Sequence, residues 1–275
     1  MEKGQIIVTG ATGSIGRESV RALVRKGFPV IMVCRDVERG ESFKSVVQEA
    51  CPTACLEVAQ VDMSSLKSVA AFVEQMKGRN VRLEGLFNNA GTMERNYALS
   101  EDGFEKTVAV NYLAPYFLTR SLLPLLQPQA RVVNMVSLTC RTAKLDRAFF
   151  EKTEKDFSQL GTYGNSKLAL WLFTMKLAET TGFYVNASDP GIVNSNMISL
   201  DRWFDPLADA IFRPFCKSPA KGALPAVNAL TSECTGHFFV GGRCKETPRK
   251  IMLNPQKDWL WEKTEEVLRQ KGFCL

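Results

Sequence analysis

Short apolar, β-branched runs alternate with longer segments of helical period from residue 6 to residue 191. IIVTG (6–10), VIMVC (30–34), LEVAQVD (56–62), LEGLFNNAG (83–91), ARVVNMVS (130–137) and FYVNASDPG (183–191) read as strands. The segments 15–26, 38–50, 65–77, 104–126 and 163–181 read as helices. A helix between successive strands leaves room for a crossover, so neighbouring strands run parallel. The expected fold is therefore α/β: a doubly wound parallel sheet of about seven strands, the last near HFFVG (237–241), with helices on both faces. Right-handed crossovers bring the C-terminal ends of those strands to one edge, where ligands of such sheets bind.

No repeat, low-complexity tract or linker breaks the pattern, so 1–275 reads as one domain. It divides into a core, 1–191, an insertion, 192–222, and a terminal strand and tail, 223–275, with one more helix around Trp259–Arg269. A second irregular stretch, 138–162, precedes the helix at 163. Long irregular segments in compact domains tend to be lids or binding loops.

The formal net charge of +6 is spread along the chain without a run of like charges, which argues against a nucleic-acid partner and suits a small anionic ligand. Eight cysteines raise the question of disulfides, but the apolar stretch of MEKGQIIVTG is too short for a signal peptide. A reduced, cytoplasmic compartment is the expectation. Cys51 and Cys55 form a CPTAC pair, yet His237 is the sole histidine and no second cysteine pair has zinc spacing, so no metal site is expected. The uncharged stretch Thr107–Thr119 contains Asn111 and Pro115 and stops at Arg120, which is no membrane span.

The strand ends carry the chemistry. VTGATGSIGRES follows the first strand and enters the first helix, where glycines let backbone N–H groups approach a pyrophosphate and the helix N-terminus favours its charge. Gly10, Thr12, Gly13, Ser14, Ile15 and Gly16 are the candidate contacts. An acidic residue ending strand two would grip a ribose 2′-hydroxyl. Cys34 and Arg35 stand there instead, and the Arg35 fork suits a 2′-phosphate. Arg17 offers a second positive charge or is a solvated helix residue, and Asp36 is the competing candidate for the ribose. Asp62, followed by Met63, either meets an adenine amino group or caps a helix. Asn89, Ala90 and Gly91 end strand four in a small, close-packing turn. In TYGNSKLALWLF, Tyr163 and Lys167 are helix neighbours at i and i+4, so phenol and ammonium can share one cleft.

In order and at the correct strand ends, TGATGSIG, CRD, VDM, NNAG, VNYLAPYFLT, Ser137, YGNSK and DPGIVNS resemble the short-chain dehydrogenase/reductase family, whose Rossmann-type fold they cover from end to end. CRD, the long interval from Ser137 to Tyr163 and SKLALWLFTMKLA are most similar to the retinol dehydrogenase branch. The resemblance implies that Tyr163 gives or takes the proton, that Lys167 holds the ribose hydroxyls and favours the tyrosinate, and that Ser137 bonds the substrate oxygen. It implies that Asn111 sits at a helix irregularity whose carbonyl holds a relay water, and that Pro190, Gly191, Ile192 and Ser195 hold the nicotinamide end. The implied activity is transfer of hydride between NADP(H), in preference to NAD(H), and a carbonyl or alcohol; a homodimer or homotetramer is compatible with it. The alternative is a non-catalytic dinucleotide sensor or scaffold on the same fold.

Departures qualify the pattern. Compact members read T-G-x-x-x-G-x-G, whereas this chain has Ser14 at the middle glycine and Gly13 one earlier, which leaves open the amides that meet the pyrophosphate. Asp189 replaces the His or Asn that often precedes Pro-Gly. Met197, Trp203, Phe204, Leu207, Phe212 and Phe215 of the insertion suit a lipophilic ketone, aldehyde, retinoid or steroid, or else pack on the core, a subunit interface or a membrane surface.

Overall fold

The structure, a computed structural model, describes residues 3–79, 81–193 and 217–275. The expectation for Ser195, and for the insertion between 194 and 216, lies outside the described residues.

Chain order runs β1 (Gln5–Thr9), α1 (Ser14–Arg25), β2 (Val30–Cys34), α2 (Val37–Ala50), β3 (Leu56–Gln60), α3 (Leu66–Lys77) and β4 (Leu83–Asn88). Next come α4 (Lys106–Val108), a π-turn (Ala109–Leu113), α5 (Ala114–Leu122), β5 (Leu126–Met135), α6 (Gln159–Thr180) and β6 (Tyr184–Asp189). The chain finishes with α7 (Pro219–Leu230), β7 (His237–Val240), β8 (Arg243–Glu246), α8 (Arg249–Met252) and α9 (Gln256–Gln270).

One sheet has the order β3-β2-β1-β4-β5-β6-β7-β8, parallel throughout except for the β7–β8 pair. All five residues of β2 are buried, the signature of a parallel strand covered on both faces. The strand period of two then sorts side chains into two cores. Ile7, Ile31 and Val33 join α3, α5, α6 and α9 on one face, while Ile6, Val8, Val30 and Met32 join α1, α2 and α7 on the other. Chain order reverses between β1 and β4, which opens the crevice at their C-terminal ends.

Two departures from the expected fold have physical causes. The sheet has eight strands rather than about seven, because Gly241 and Gly242, both at positive φ, turn β7 back into β8. All four residues of β8, Arg-Cys-Lys-Glu, are exposed, so no apolar alternation marks the strand. The helix α7 begins inside the segment read as the 192–222 insertion and carries Pro225 in its interior. Proline removes a helix hydrogen bond and reads as a breaker; here buried Ala223, Ala226, Ala229 and Leu230 hold the helix through tertiary packing. The long helix read over 104–126 is interrupted by the π-turn at Asn111. The helix α6 starts at Gln159, so Tyr163 sits one turn inside it rather than at its start.

A buried polar chain ties the sheet to its helices beneath the crevice. Asn88 Nδ2 donates to Thr119 Oγ1 (2.8 Å) and Asn134 Oδ1 (2.7 Å), and Asn134 Nδ2 donates to Thr174 Oγ1 (2.9 Å). Paired this way, the amides add directional bonds between β4, β5, α5 and α6 in a low-dielectric setting. Among the described residues no helix is long and apolar enough to cross a membrane.

Candidate active site

The Gly-rich turn is built by close backbone approach. Gly10 has φ +63, and a side chain there would meet Ala90 Cα at 2.9 Å. Gly16 presses α1 onto the turn: a Cβ would lie 2.2 Å from the Gly10 carbonyl oxygen. Gly13 is different, since its Cβ would meet only that oxygen, at 3.3 Å. Gly13 is the N-cap of α1 and donates no side-chain cap, and the first turn holds no acidic residue. Uncapped N–H groups and an unopposed helix dipole fit a pyrophosphate at Ser14, Ile15 and Gly16. Thr12 holds Arg17 by accepting from its Nε (3.1 Å), and the Arg17 guanidinium stacks 4.9 Å from the Phe43 ring centre. Burial, then the charges of Arg39 and Arg21, push the Arg17 pKa down, which marks a local positive field.

At the end of β2, Arg35 is exposed. The competing Asp36 is engaged elsewhere: it is the N-cap of α2 and accepts from the Arg39 N–H at 2.9 Å. Cys34 is buried, with its thiol donating to the Asp36 carbonyl (3.2 Å). Arg39, in the first turn of α2, is a third basic residue that strand-end reasoning passes over. Asp62 does not cap α3, because Ser65 does; its Oδ1 instead accepts from Ser64 N (2.8 Å) and Ser64 Oγ (2.7 Å). The Met63 side chain is buried in the core.

The turn after β4 is clamped by a residue the sequence reading omits. Thr9 Oγ1 accepts from the Asn89 and Ala90 N–H groups, each at 3.0 Å, and Asn89 Nδ2 donates back to the Thr9 (2.8 Å) and Gly10 (3.2 Å) carbonyls. Asn89 thereby locks the two turns on either side of the crevice together.

Ser137, Tyr163, Lys167 and Asn111 converge at its other end. Tyr163 is half-buried on α6 near Ser137, just past β5, whose Oγ accepts from Thr139 Oγ1 at 3.0 Å. Lys167, 3% exposed, donates from Nζ to the Met135 carbonyl at 2.9 Å, and Nζ lies 5.9 Å from the Tyr163 ring centre. Asn111 Oδ1 and Lys167 Nζ both close on Gly91, at 3.2 and 3.3 Å from where a Cβ would stand. Asn111 sits in the π-turn, fully buried. Its Nδ2 donates to Thr92 O (2.8 Å) and Ser166 Oγ (3.0 Å), while Oδ1 accepts from Thr92 N (2.8 Å). The cysteine after Ser137 also takes part: Cys140 donates from Sγ to the Ser137 carbonyl (2.6 Å).

Electrostatics separate the pair. Burial pushes the Tyr163 phenol up to about 12, against the nearby Ser137 hydroxyl, which lowers it, and with help from the Asp189 charge, which raises it. Burial pulls the Lys167 ammonium down to about 8, opposed by the Asp189 charge. Asp189, buried at the end of β6, accepts from the Gly191 N–H at 2.5 Å and so shapes the Pro190-Gly191 turn, where Gly191 has φ +72. Ile192 follows, 65% exposed. The cleft therefore joins a hydroxyl donor pair, a buried cation and a polar turn at one end to an anion-receptive helix terminus at the other.

A model described as "short chain dehydrogenase" matches residues 5–202. Retinol dehydrogenase 12 of Bos taurus is 35% identical over 96% of this chain and 85% of its own length. Retinol dehydrogenase 14 of Mus musculus is 34% identical over the same shares. The crystal structure of an uncharacterized protein from Mycobacterium Paratuberculosis superposes with a TM-score of 0.76 at 27% identity, covering 97% of this chain and 93% of that one. With the fold and these likenesses together, the chain belongs to the short-chain dehydrogenase family, with retinol dehydrogenases among its relatives.

Proposed function

We propose that the chain transfers hydride between NADP(H) and a carbonyl or secondary alcohol, working as a carbonyl reductase on a lipophilic ketone, aldehyde, retinoid or steroid. When bound, the dinucleotide supplies the hydride. This chain's residues do the rest. The observation that carries the reading is the convergence of Ser137, Tyr163 and the buried Lys167, whose Nζ lies 5.9 Å from the Tyr163 ring centre. Ser137 holds the substrate oxygen and steadies its developing charge. Tyr163 gives that oxygen a proton, and Lys167 offsets the tyrosinate left behind while holding the ribose hydroxyls. Asn111, at the π-turn, keeps the proton relay to Lys167 in place. Gly10, Thr12, Gly13, Ser14, Ile15 and Gly16 cradle the pyrophosphate, Asp62, Met63, Asn89, Ala90 and Gly91 bound the adenosine and ribose, and Pro190, Gly191, Ile192 and Ser195 take the nicotinamide end. The sensor alternative is not favoured, since all four residues of the catalytic set are present.

The lipophilic substrate class is supported by the names of the retinol dehydrogenase relatives, and by exposed Leu138 and Ile192 directly after Ser137 and Gly191. A reduced, cytoplasmic setting is part of the same reading.

The NADP(H) preference is supported by exposed Arg35, by Arg17 at the turn, and by Asp36 being used as a helix cap. A charge-assisted contact to the 2′-phosphate contributes about 1.5–3 kcal/mol, roughly tenfold to more than a hundredfold in affinity. The ratio of kcat/KM for NADPH to that for NADH is expected well above one. Arg35→Ala should lower it by roughly tenfold or more while leaving kcat/KM for NADH nearly unchanged. A wild-type ratio at or below one contradicts this assignment.

The pH profile follows from Lys167. Its folded value lies below the ordinary lysine range, so the ammonium is charged below about 8 and is lost as pH rises through it. Tyr163 keeps its proton well beyond that point. The value of kcat/KM for NADPH, which reports the free enzyme, should hold below about pH 8 and fall above it with loss of one proton. Lys167→Arg should move that break upward, and an unmoved break would assign it to another group.

A further inference from the structure

The β7–β8 hairpin carries a second cluster of reactive side chains, at the edge of the sheet away from Tyr163. Gly241 (φ 58) and Gly242 (φ 79) form the two left-handed positions that a two-residue type I′ turn requires, and this fixes the register. Phe239 pairs with Cys244 and His237 with Glu246. With a side-chain period of two, His237 and Cys244 lie on one face of the hairpin. Cys234 arrives from the loop before β7. The buried Asn186 of β6 holds that loop, donating from Nδ2 to the Cys234 carbonyl (2.7 Å) and accepting at Oδ1 from the His237 N–H (2.9 Å).

The result is a close triad. The sulfurs of Cys234 and Cys244 are 3.5 Å apart, and these two atoms and a ring nitrogen of His237 all lie within 4.8 Å of one another. A tetrahedral ion with metal–sulfur bonds of about 2.3 Å holds two sulfurs about 3.8 Å apart, so the thiols already stand near that separation. His237 Nδ1 lies 2.7 Å from the Thr235 carbonyl. A carbonyl only accepts, so Nδ1 carries the ring proton and Nε2 the lone pair. Metal-binding histidines are commonly oriented by a bond of this kind from their other nitrogen. The third ligand reaches the pair only through the hairpin, which is why linear spacing along the chain conceals the site.

We propose that Cys234, Cys244 and His237 bind one soft divalent cation, of which Zn²⁺ best matches two thiolates and an imidazole, with water in the fourth position. Binding replaces two S–H protons by two metal–sulfur bonds and passes those protons to the buffer. The ion would staple β8 and the Cys234 loop to β7, a structural role at a distance from the catalytic cleft.

The test uses the full chain, reduced and stripped of metal, titrated with Co²⁺ and then Zn²⁺. The expected result is one equivalent of Co²⁺ with the sulfur-to-cobalt charge-transfer and intense d–d bands of a tetrahedral thiolate site, displaced by one equivalent of Zn²⁺. Thermal unfolding should shift upward with Zn²⁺, and about two protons should be released per ion. Cys244→Ser and His237→Ala should each weaken Zn²⁺ binding at least tenfold, whereas the Cys51→Ser/Cys55→Ser double variant should keep spectrum and stoichiometry. No cobalt band in the reduced wild-type chain overturns the proposal. So does a band that survives Cys244→Ser, or a reduced pair that only oxidises to a Cys234–Cys244 disulfide without taking up metal.

Discussion

Tyr163→Phe is expected to lower turnover by about two to four orders of magnitude, the usual worth of a positioned proton donor, with NADPH affinity nearly unchanged. In the proposed mechanism the phenol delivers a proton beside Ser137 while Lys167 remains charged below about pH 8. Phenylalanine keeps the ring and its place on α6 but removes the hydroxyl beside Ser137. The split between kcat and binding is therefore diagnostic. Lys167→Ala should instead harm both, because in the proposed mechanism one ammonium serves ribose and tyrosine together. Single-turnover rates and a fluorescence titration of NADPH separate the two variants, and near-wild-type turnover in Tyr163→Phe would remove this cleft from consideration.

Gly16→Ala is expected to be the most damaging single-methyl change in the Gly-rich turn. The added Cβ would stand 2.2 Å from the Gly10 carbonyl oxygen and 2.9 Å from Ala11 Cα, both backbone atoms with no rotamer to yield. The helix α1 must then move off β1, at a cost of about 3 kcal/mol for overpacking against rigid neighbours, and the N–H groups proposed to hold the pyrophosphate move with it. Gly13→Ala is the control. Its backbone (φ −73, ψ 165) suits any residue, and its single close contact at 3.3 Å can relax. Urea unfolding should show a large loss for Gly16→Ala and a small one for Gly13→Ala, with NADPH affinity following the same order. Equal tolerance at both positions would mean that α1 is not pressed onto the turn.

The parallel sheet is legible in the sequence because short apolar runs alternate with segments of helical length, and VIMVC becomes β2 at the same residues. Tyr163, Lys167, Ser137 and Asn111 are legible for a second reason: they stand at strand ends or one helical turn apart, positions that topology alone brings to one edge. The features missed obey tertiary rather than local rules. The helix α7 survives Pro225 because packing on α1 and β6 compensates for the lost hydrogen bond. The strand β8 is polar along its whole length and exists because a two-glycine turn pairs it with β7. Thr9 looks like an ordinary strand residue until its hydroxyl is seen gripping the Asn89 and Ala90 amides across the crevice. Asp62 and Asp36 differ by one local fact, the helix cap: Ser65 takes that role from the first, and the second keeps it.

The most direct measurement of the central claim is NADPH oxidation by the purified chain across a panel of lipophilic aldehydes and ketones, retinaldehyde included, with deuteride at the transferred position of the nicotinamide followed into the product. The account predicts substrate-dependent NADPH loss in wild-type protein, one deuterium placed on the former carbonyl carbon, and loss of both signals in Tyr163→Phe despite retained NADPH binding. Tight NADPH binding with no oxidation across the panel, and no difference between wild type and Tyr163→Phe, would contradict it and leave a dinucleotide-binding protein without this chemistry.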